Sequence, residues 1–137
     1  MLGILGIGLL GIWGCGEELG PVRRETNWVR GRVLERGEPL GGGWIEFLPV
    51  EGTVGNLRSA PIGKDGRFVA DGVAVGVNLV GFVGAPIQIP GGRRFFDSLG
   101  TPVRRRISGG GAVDLTIDLY DEFLRRNQAL STTEGKR

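Results

Sequence analysis

Residues 27–35 read Asn-Trp-Val-Arg-Gly-Arg-Val-Leu-Glu and predict the first strand of a β-sheet. Small or apolar residues alternate with arginines along this stretch, and a strand with that alternation has one face in a core and one in water. Gly31 falls on the apolar face, where the missing side chain leaves room for a closely packed neighbour. The stretch therefore predicts a half-buried strand that another part of the chain approaches closely.

Six further stretches on the C-terminal side show strand patterns and are separated by turn signals. Asp65-Gly66 suits the positive φ angles of a tight hairpin turn. Residues 77–83 are apolar on both alternations, which is typical of a central strand. Residues 112–120 alternate apolar and polar side chains and are expected to pair with 102–107 in a last hairpin. The predicted strands are 27–35, 44–50, 57–62, 67–70, 77–83, 102–107 and 112–120.

About seven short strands predict an all-β, antiparallel β-sandwich. The chain has 137 residues, of which 27 are glycine, and this density fits many turns between short strands. The turn at Asp65-Gly66 is expected to join 57–62 and 67–70 as a hairpin, with Phe68 filling the core. In the C-terminal segment 122–137 we expect one short helical turn and a disordered tail.

Composition narrows the chemistry that a site could perform. The chain has no histidine, which excludes most general-base, zinc and catalytic-triad arrangements. It has 17 basic and 15 acidic residues, and a net charge of +2 is too small to indicate nucleic acid. We therefore expect no cofactor, no metal and no nucleic-acid partner.

Acidic residues near the end of the last predicted strand are the remaining candidates for metal or acid–base chemistry. Asp114 and Asp118, with Asp121 and Glu122 nearby, could bind Ca²⁺ through their carboxylates. The spacing is not that of a calcium loop, and the alternation is equally that of a solvated strand face. A carboxylate-based enzyme is therefore kept only as the weakest alternative.

The N-terminal stretch 2–13 is apolar throughout, and no charged side chain occurs before Glu17. As a helix its twelve residues would span about 18 Å, well short of the roughly 30 Å hydrocarbon core of a membrane. A stretch of this length is typical of the hydrophobic region of a signal peptide. We predict a signal peptide over residues 1–14.

The residues Ile12-Trp13-Gly14-Cys15 resemble the bacterial lipobox, in which an aliphatic residue and two small residues precede a cysteine. Trp13 departs from that pattern, because a small residue is usual at its position. The resemblance implies that Cys15 receives a diacylglycerol and becomes the new N-terminus. Stable anchoring follows from two or more acyl chains. A plain secretory signal with an incidental cysteine, or a retained anchor, are the alternatives.

The predicted organisation places one domain behind a lipid anchor. Residues 15–26 comprise the lipidated cysteine and a polar tether, and residues 27–121 form the sandwich. The anchor implies an exported protein attached to a bacterial membrane, on the periplasmic or cell-surface side. The protein would then be attached to the membrane through this lipid anchor.

The predicted domain resembles the carboxypeptidase regulatory-like family. The resemblance is carried by Val29-Arg30-Gly31-Arg32-Val33, by Gly37-Glu38-Pro39-Leu40 with Ile45-Glu46-Phe47, and by Lys64-Asp65-Gly66-Arg67-Phe68 followed by Gly72 and Gly76. It covers residues 29–119 and implies a transthyretin-like β-sandwich, a fold related to the immunoglobulin-like sandwich. Its motifs are turns and core positions, so they concern the fold and not an activity.

Arginines and tryptophans are the candidate contact residues on the surface. The arginines could meet anionic lipid head groups or acidic polymers, or simply keep the strands soluble. Trp28 and Trp44 fall on outward positions, where they could stack on a sugar ring or a partner, or pack against each other or Leu34 as a cross-strand pair. The candidate arginines are Arg93, Arg94, Arg104 and Arg106, joined by Arg125 and Arg126.

The predicted function is that of a membrane-anchored, non-catalytic envelope lipoprotein. Its β-sandwich would bind or scaffold an envelope protein or a polysaccharide. The first alternative is an accessory subunit of an export or surface machine, with the same tryptophans and arginines as contacts. The oligomeric state is left open.

Overall fold

The computed structural model describes residues 25–97 and 100–134, so the predicted signal peptide and Cys15 lie outside the described part. The chain forms two four-stranded sheets around one core, which confirms the predicted all-β sandwich. The strands are β1 (Thr26–Glu35), β2 (Glu38–Pro39), β3 (Trp44–Pro49), β4 (Arg58–Pro61), β5 (Arg67–Ala74), β6 (Gly76–Val83), β7 (Arg104–Ile107) and β8 (Val113–Asp118); the helices are α1 (Gly92–Phe95) and α2 (Leu119–Glu134).

The first sheet is organised around β1, which is hydrogen-bonded along both of its edges. β5 pairs with it antiparallel along one edge, and the two-residue β2 continues that edge. β8 pairs along the other edge in parallel register, from Val29 opposite Val113 to Leu34 opposite Asp118. This pair is parallel, whereas the sequence predicted antiparallel strands throughout.

The second sheet has the strand order β4-β3-β6-β7, with every pair antiparallel. β6 lies between β3 and β7, which confirms the central position predicted from its apolar composition. Inward side chains of both sheets meet in one core, where the rings of Phe47 and Phe68 lie 6.1 Å apart. Phe68 is buried as the sequence predicted.

Both predicted hairpins are wrong, because their strands lie in different sheets. β4 pairs with β3 in the second sheet, while β5 pairs with β1 in the first. Likewise β7 pairs with β6, and β8 pairs with β1. The Asp65-Gly66 turn is tight, with Gly66 at a φ of 80°, but it carries the chain from one sheet to the other. A tight turn reverses the direction of the chain, but it does not determine which strand the following strand pairs with.

Two elements extend beyond their predicted limits. β5 continues through Asp71-Gly72, which was predicted as a connection. Gly72 has a φ of 69°, and the ladder between β1 and β5 shifts register between Asn27 and Val29. This irregularity lets the strand continue past a residue pair that normally marks a turn. Glu38–Pro39, also predicted as a turn, forms the short β2.

The C-terminal region departs most from the prediction. Residues 119–134 form helix α2, where the sequence predicted the end of a strand, one helical turn and a disordered tail. The helix begins directly after Asp118, whose carboxylate accepts the amide hydrogens of Tyr120 and Asp121. This is the geometry of a helix N-cap. The first turn is further fixed by Leu119, which is completely buried.

Gly31 is the point at which β8 approaches β1 most closely. A Cβ atom built on Gly31 would lie 1.7 Å from the main-chain oxygen of Leu115. No side-chain rearrangement relieves a clash with a backbone atom, so any larger residue must push the two strands apart. The structure therefore confirms the role that the sequence predicted for this glycine.

We predict that Gly31→Ala destabilises the fold by about 2 kcal/mol or more, since overpacking at a rigid contact typically costs about 1–3 kcal/mol. Urea unfolding followed by circular dichroism measures the change. Gly111→Ala is the matched control, because nothing lies within 4 Å of a Cβ atom built there. Equal stability of the two variants would show that β8 does not depend on this contact.

Candidate functional site

We name the two ends of the sandwich by the direction of β1. We call the end where β1 begins the proximal end; it also carries the β3–β4 loop (residues 50–57) and the β7–β8 loop (residues 108–112). The distal end is where β1 ends at Glu35. It carries the β1–β2 turn and the loop that follows β6. Every candidate contact can be placed relative to these two ends.

The two candidate tryptophans lie in different sheets and near opposite ends. Trp28 is in β1 close to the proximal end, and Trp44 begins β3 at the distal end. Their exposed fractions are 52% and 50%, which confirms the outward positions. The predicted alternative of a cross-strand pair is wrong, since β1 and β3 are not neighbours in a sheet. The sequence pattern specified the face of each strand but not its sheet.

Trp44 belongs to an apolar surface at the distal end, which we call the Trp44 surface. Pro61 of β4 and Val83 of β6 lie directly opposite Trp44 on its two neighbouring strands. All three side chains are exposed on the outer face of the second sheet. Such a row of apolar side chains on a rigid sheet offers a preformed contact area.

The candidate arginines lie on different elements and have different partners. Arg104 and Arg106 point outward from β7, whereas the intervening Arg105 is partly buried. Arg104 pairs with Glu51 of the β3–β4 loop, and Arg105 pairs with Glu122 of α2. These pairs tie β7 to two other elements.

The remaining arginines lie on the two helices. Arg93 and Arg94 are exposed on the single turn of α1. Arg126 lines a cleft of about 440 Å³ together with Arg104 and Phe95. Arg125 lies 3.8 Å from Glu122, which Arg105 also contacts. The structure thus joins Arg104 with Arg126 but assigns Arg105 and Arg125 to an ion-pair cluster.

Asp118 is the most highly engaged carboxylate in the described residues, whereas the sequence predicted either a calcium ligand or a residue of a solvated strand face. Besides capping α2, it accepts hydrogen bonds from the amides of Arg36 and Gly37 in the β1–β2 turn, at 3.2 and 2.7 Å. The guanidinium of Arg36 also stacks on the ring of Tyr120 at 4.5 Å. An aspartate at the N-cap position followed by Asp121 and Glu122 in the first turn is a recognisable helix-start signal that could have predicted this cap.

Asp114 lies on the same face of β8, near the start of the strand, and has fewer contacts. It accepts a hydrogen bond of 2.8 Å from Arg30, and both side chains are well exposed. The hydrogen bond, together with the negative charge of Asp114, raises the pKa of Arg30 above its ordinary value. The pair joins β8 to β1 on the outer face, so this carboxylate too has a partner within the fold.

Glu35 is a buried carboxylate at the distal end. Only 8% of the residue is exposed, and both side-chain oxygens accept the amide hydrogen of Gln88 at 3.0 Å. It lies in a cleft of about 440 Å³ whose walls include Pro39, Leu40 and Pro86. Its role in the fold is to hold the loop after β6 against β1, and sequence reasoning missed it because the strand pattern ended there.

Across residues 25–97 and 100–134, no three histidine, cysteine, aspartate or glutamate side chains are grouped as a metal site would require. Within the same ranges, no helix combines the length and apolar character needed to cross a membrane.

Comparison with known proteins finds a structural likeness to a DUF3823 family protein from Parabacteroides merdae. The TM-score is 0.47 and the sequence identity 13%, over 70% of this chain and 46% of that chain. The chain thus spans less than half the length of that protein. No protein-family model matches the chain, and no curated protein matches it in sequence. Likeness at this level says nothing about function.

We predict that Asp118→Ala destabilises the protein by about 1–2 kcal/mol, because the variant loses a helix cap and leaves turn amides without an acceptor. Chemical denaturation measures this loss. Asp114→Ala, on the same face of β8, should change stability much less, since its partner Arg30 is exposed to water. If both variants lost the same amount, Asp118 would have no special role.

We predict that Glu35→Ala speeds hydrogen exchange at the Gln88 amide by about tenfold, corresponding to about 1.4 kcal/mol of lost local stability. The reason is that this amide would lose its acceptor in a partly buried position. Glu38→Ala removes an exposed carboxylate from the same cleft and should leave the exchange rate unchanged. Exchange at Gln88 is measured by amide NMR, and equal rates in all three proteins would contradict the assignment.

Proposed function

We propose that this protein is a non-catalytic envelope lipoprotein, held to a bacterial membrane by a lipid on Cys15 and binding a partner with its β-sandwich. The observation that carries the proposal is the position of the lipobox-like Ile12-Trp13-Gly14-Cys15, shortly before the sandwich begins at Thr26. A domain that begins so soon after an anchored residue is held close to the membrane. The domain would then bind its partner next to the membrane surface.

The carboxypeptidase regulatory-like assignment is part of this proposal. It is supported by the places that its characteristic residues take in the fold. Gly31 is where β8 approaches β1, Leu40 and Phe68 are buried in the core, and Gly66 adopts a positive φ angle in the turn before β5. These positions do what the family resemblance implies for them, and all of them concern folding.

Binding, and not catalysis, is favoured by how the carboxylates are used. Asp118 accepts four main-chain hydrogen bonds, and Glu35 holds the Gln88 amide. Glu122 is paired with arginines. A general acid or base must be able to reach a substrate proton, and these groups are engaged in holding elements of the fold together.

The Trp44 surface is the contact area that we assign to the partner. It lies at the distal end, away from the point where the chain enters the sandwich. A half-exposed indole beside two small apolar side chains can stack on a sugar ring of an envelope polysaccharide or fill a pocket of an envelope protein. The rigid sheet holds the ring in place before binding, which lowers the entropic cost of association.

We predict that Cys15→Ser abolishes incorporation of an alkyne-labelled fatty acid and moves the protein from the membrane fraction to the soluble fraction. The reason is that serine lacks the thiol to which a diacylglycerol is attached. The measurement is made on the full chain expressed in a bacterium, by click labelling and by membrane flotation.

Ser108→Cys is a matched control, because it introduces a thiol at an exposed position of the proximal end without the preceding lipobox-like residues. In the Cys15→Ser background it should not restore labelling. Labelling or membrane association that persists after Cys15→Ser would overturn the lipoprotein proposal.

A further inference from the structure

The proximal end of the sandwich exposes three large apolar side chains that the fold does not use. Trp28 exposes 52% of its surface, and Val54 and Leu57 expose 46% each. Val54 and Leu57 lie in the β3–β4 loop, and Trp28 lies near the start of β1. Together they form what we call the proximal apolar surface.

This surface is joined to the point where the chain enters the sandwich. Val54 lines a cleft of about 370 Å³ together with Glu25, Val75 and Gly76. On the other side of the loop, Arg58 follows Leu57 and donates a hydrogen bond of 2.9 Å to the main-chain oxygen of Asp71 in β5. β5 is the neighbour of β1 at the residues around Trp28. The three apolar side chains therefore share one end of the molecule.

The β3–β4 loop holds its apolar residues in a fixed arrangement. The hydroxyl of Thr53 accepts the amide hydrogen of Val77 at 2.9 Å, and the amide of Val50 donates to the oxygen of Val77 at 3.0 Å. Gly55 packs directly on Ala74, because a Cβ atom added to it would come within 2.5 Å of the Ala74 methyl group. A loop tied down in this way presents Val54 outward as a stable feature.

We propose that the proximal apolar surface docks on the lipid bilayer to which Cys15 is anchored. This inference rests on the proposed lipid anchor. A fully extended chain spans at most about 3.6 Å per residue, so Glu25 lies within about 36 Å of Cys15. The end of the sandwich at which the chain enters, and which is tethered to Cys15, is thus the end that carries these side chains.

The chemistry of the surface fits the boundary between head groups and acyl chains. Tryptophan is enriched at that boundary, because its ring is apolar and its N–H remains hydrogen-bonded. Of the two acidic residues that line the cleft with Val54, Glu51 is paired with Arg104, and Glu25 stands at the point where the chain enters the sandwich. The proposed contact is made by apolar side chains, so neutral phosphatidylcholine is the appropriate probe.

Docking would fix the orientation of the domain. An acyl anchor alone restrains the chain at Cys15 but leaves the sandwich free to turn about it. With the proximal end on the bilayer, the Trp44 surface lies at the end of the sandwich remote from the membrane, where partners in the envelope can reach it. The lipid then determines where the domain is, and the proximal apolar surface determines which way it faces.

The test couples the full chain to phosphatidylcholine vesicles through Cys15, its only cysteine, using a maleimide-bearing lipid. Chemical coupling makes the result independent of whether a cell lipidates Cys15, which the Cys15→Ser experiment decides separately. One protein keeps Trp28 as sole tryptophan (Trp13→Phe with Trp44→Phe). Its counterpart keeps Trp44 (Trp13→Phe with Trp28→Phe). Nitroxide-labelled lipid quenches indoles at the bilayer boundary.

We expect at least twofold stronger quenching of Trp28 than of Trp44. The Val54→Ser and Leu57→Ser changes, made together in the Trp28 protein, should remove at least half of that quenching. Val69→Ser is the matched control, because Val69 is an exposed apolar residue in the middle of β5, and it should leave the quenching unchanged. Equal quenching of the two tryptophans, or no effect of the double serine variant, would overturn the docking proposal.

Discussion

The close contact between Gly31 and the main chain of Leu115 is the constraint on which the architecture depends. It allows β8 to pair with β1 in parallel and so places β1 in the middle of the first sheet. Because β8 ends beside the end of β1, Asp118 reaches the β1–β2 turn and starts α2 at the same point. The start of α2 at the distal end follows from that pairing.

Strand positions could be predicted from the sequence because alternation is a local property, and the buried Phe68 and the central β6 follow from it. Strand partners could not, since they depend on contacts between distant parts of the chain. Thus the Asp65-Gly66 turn was correctly identified, yet the strands it joins lie in different sheets. α2 was missed because the strand alternation runs up to Leu119 and obscures the capping signal of Asp118.

For the candidate contact residues, too, exposure could be predicted from the sequence but position in the fold could not. The outward positions of Trp28 and Trp44 could be predicted from alternation, but their separation onto two sheets required the structure. The same holds for Val54, which has no strand pattern around it, and for Leu57, which was predicted as the first residue of a strand. Both become significant only because their loop lies beside Glu25. The two ends of the sandwich thus present different apolar surfaces, one near the point where the chain enters the sandwich and one remote from it.

The central position of β1 also has a mechanical consequence. Any pull on the chain at Glu25 is transmitted along β1, while the hydrogen bonds to β5 run perpendicular to that direction and those to β8 run across it at a slant. Both ladders are therefore loaded in shear, with many bonds bearing the force at once, and cannot be unzipped one bond at a time. A sandwich attached to a surface through such a strand can carry tension between that surface and a bound partner without losing its first strand.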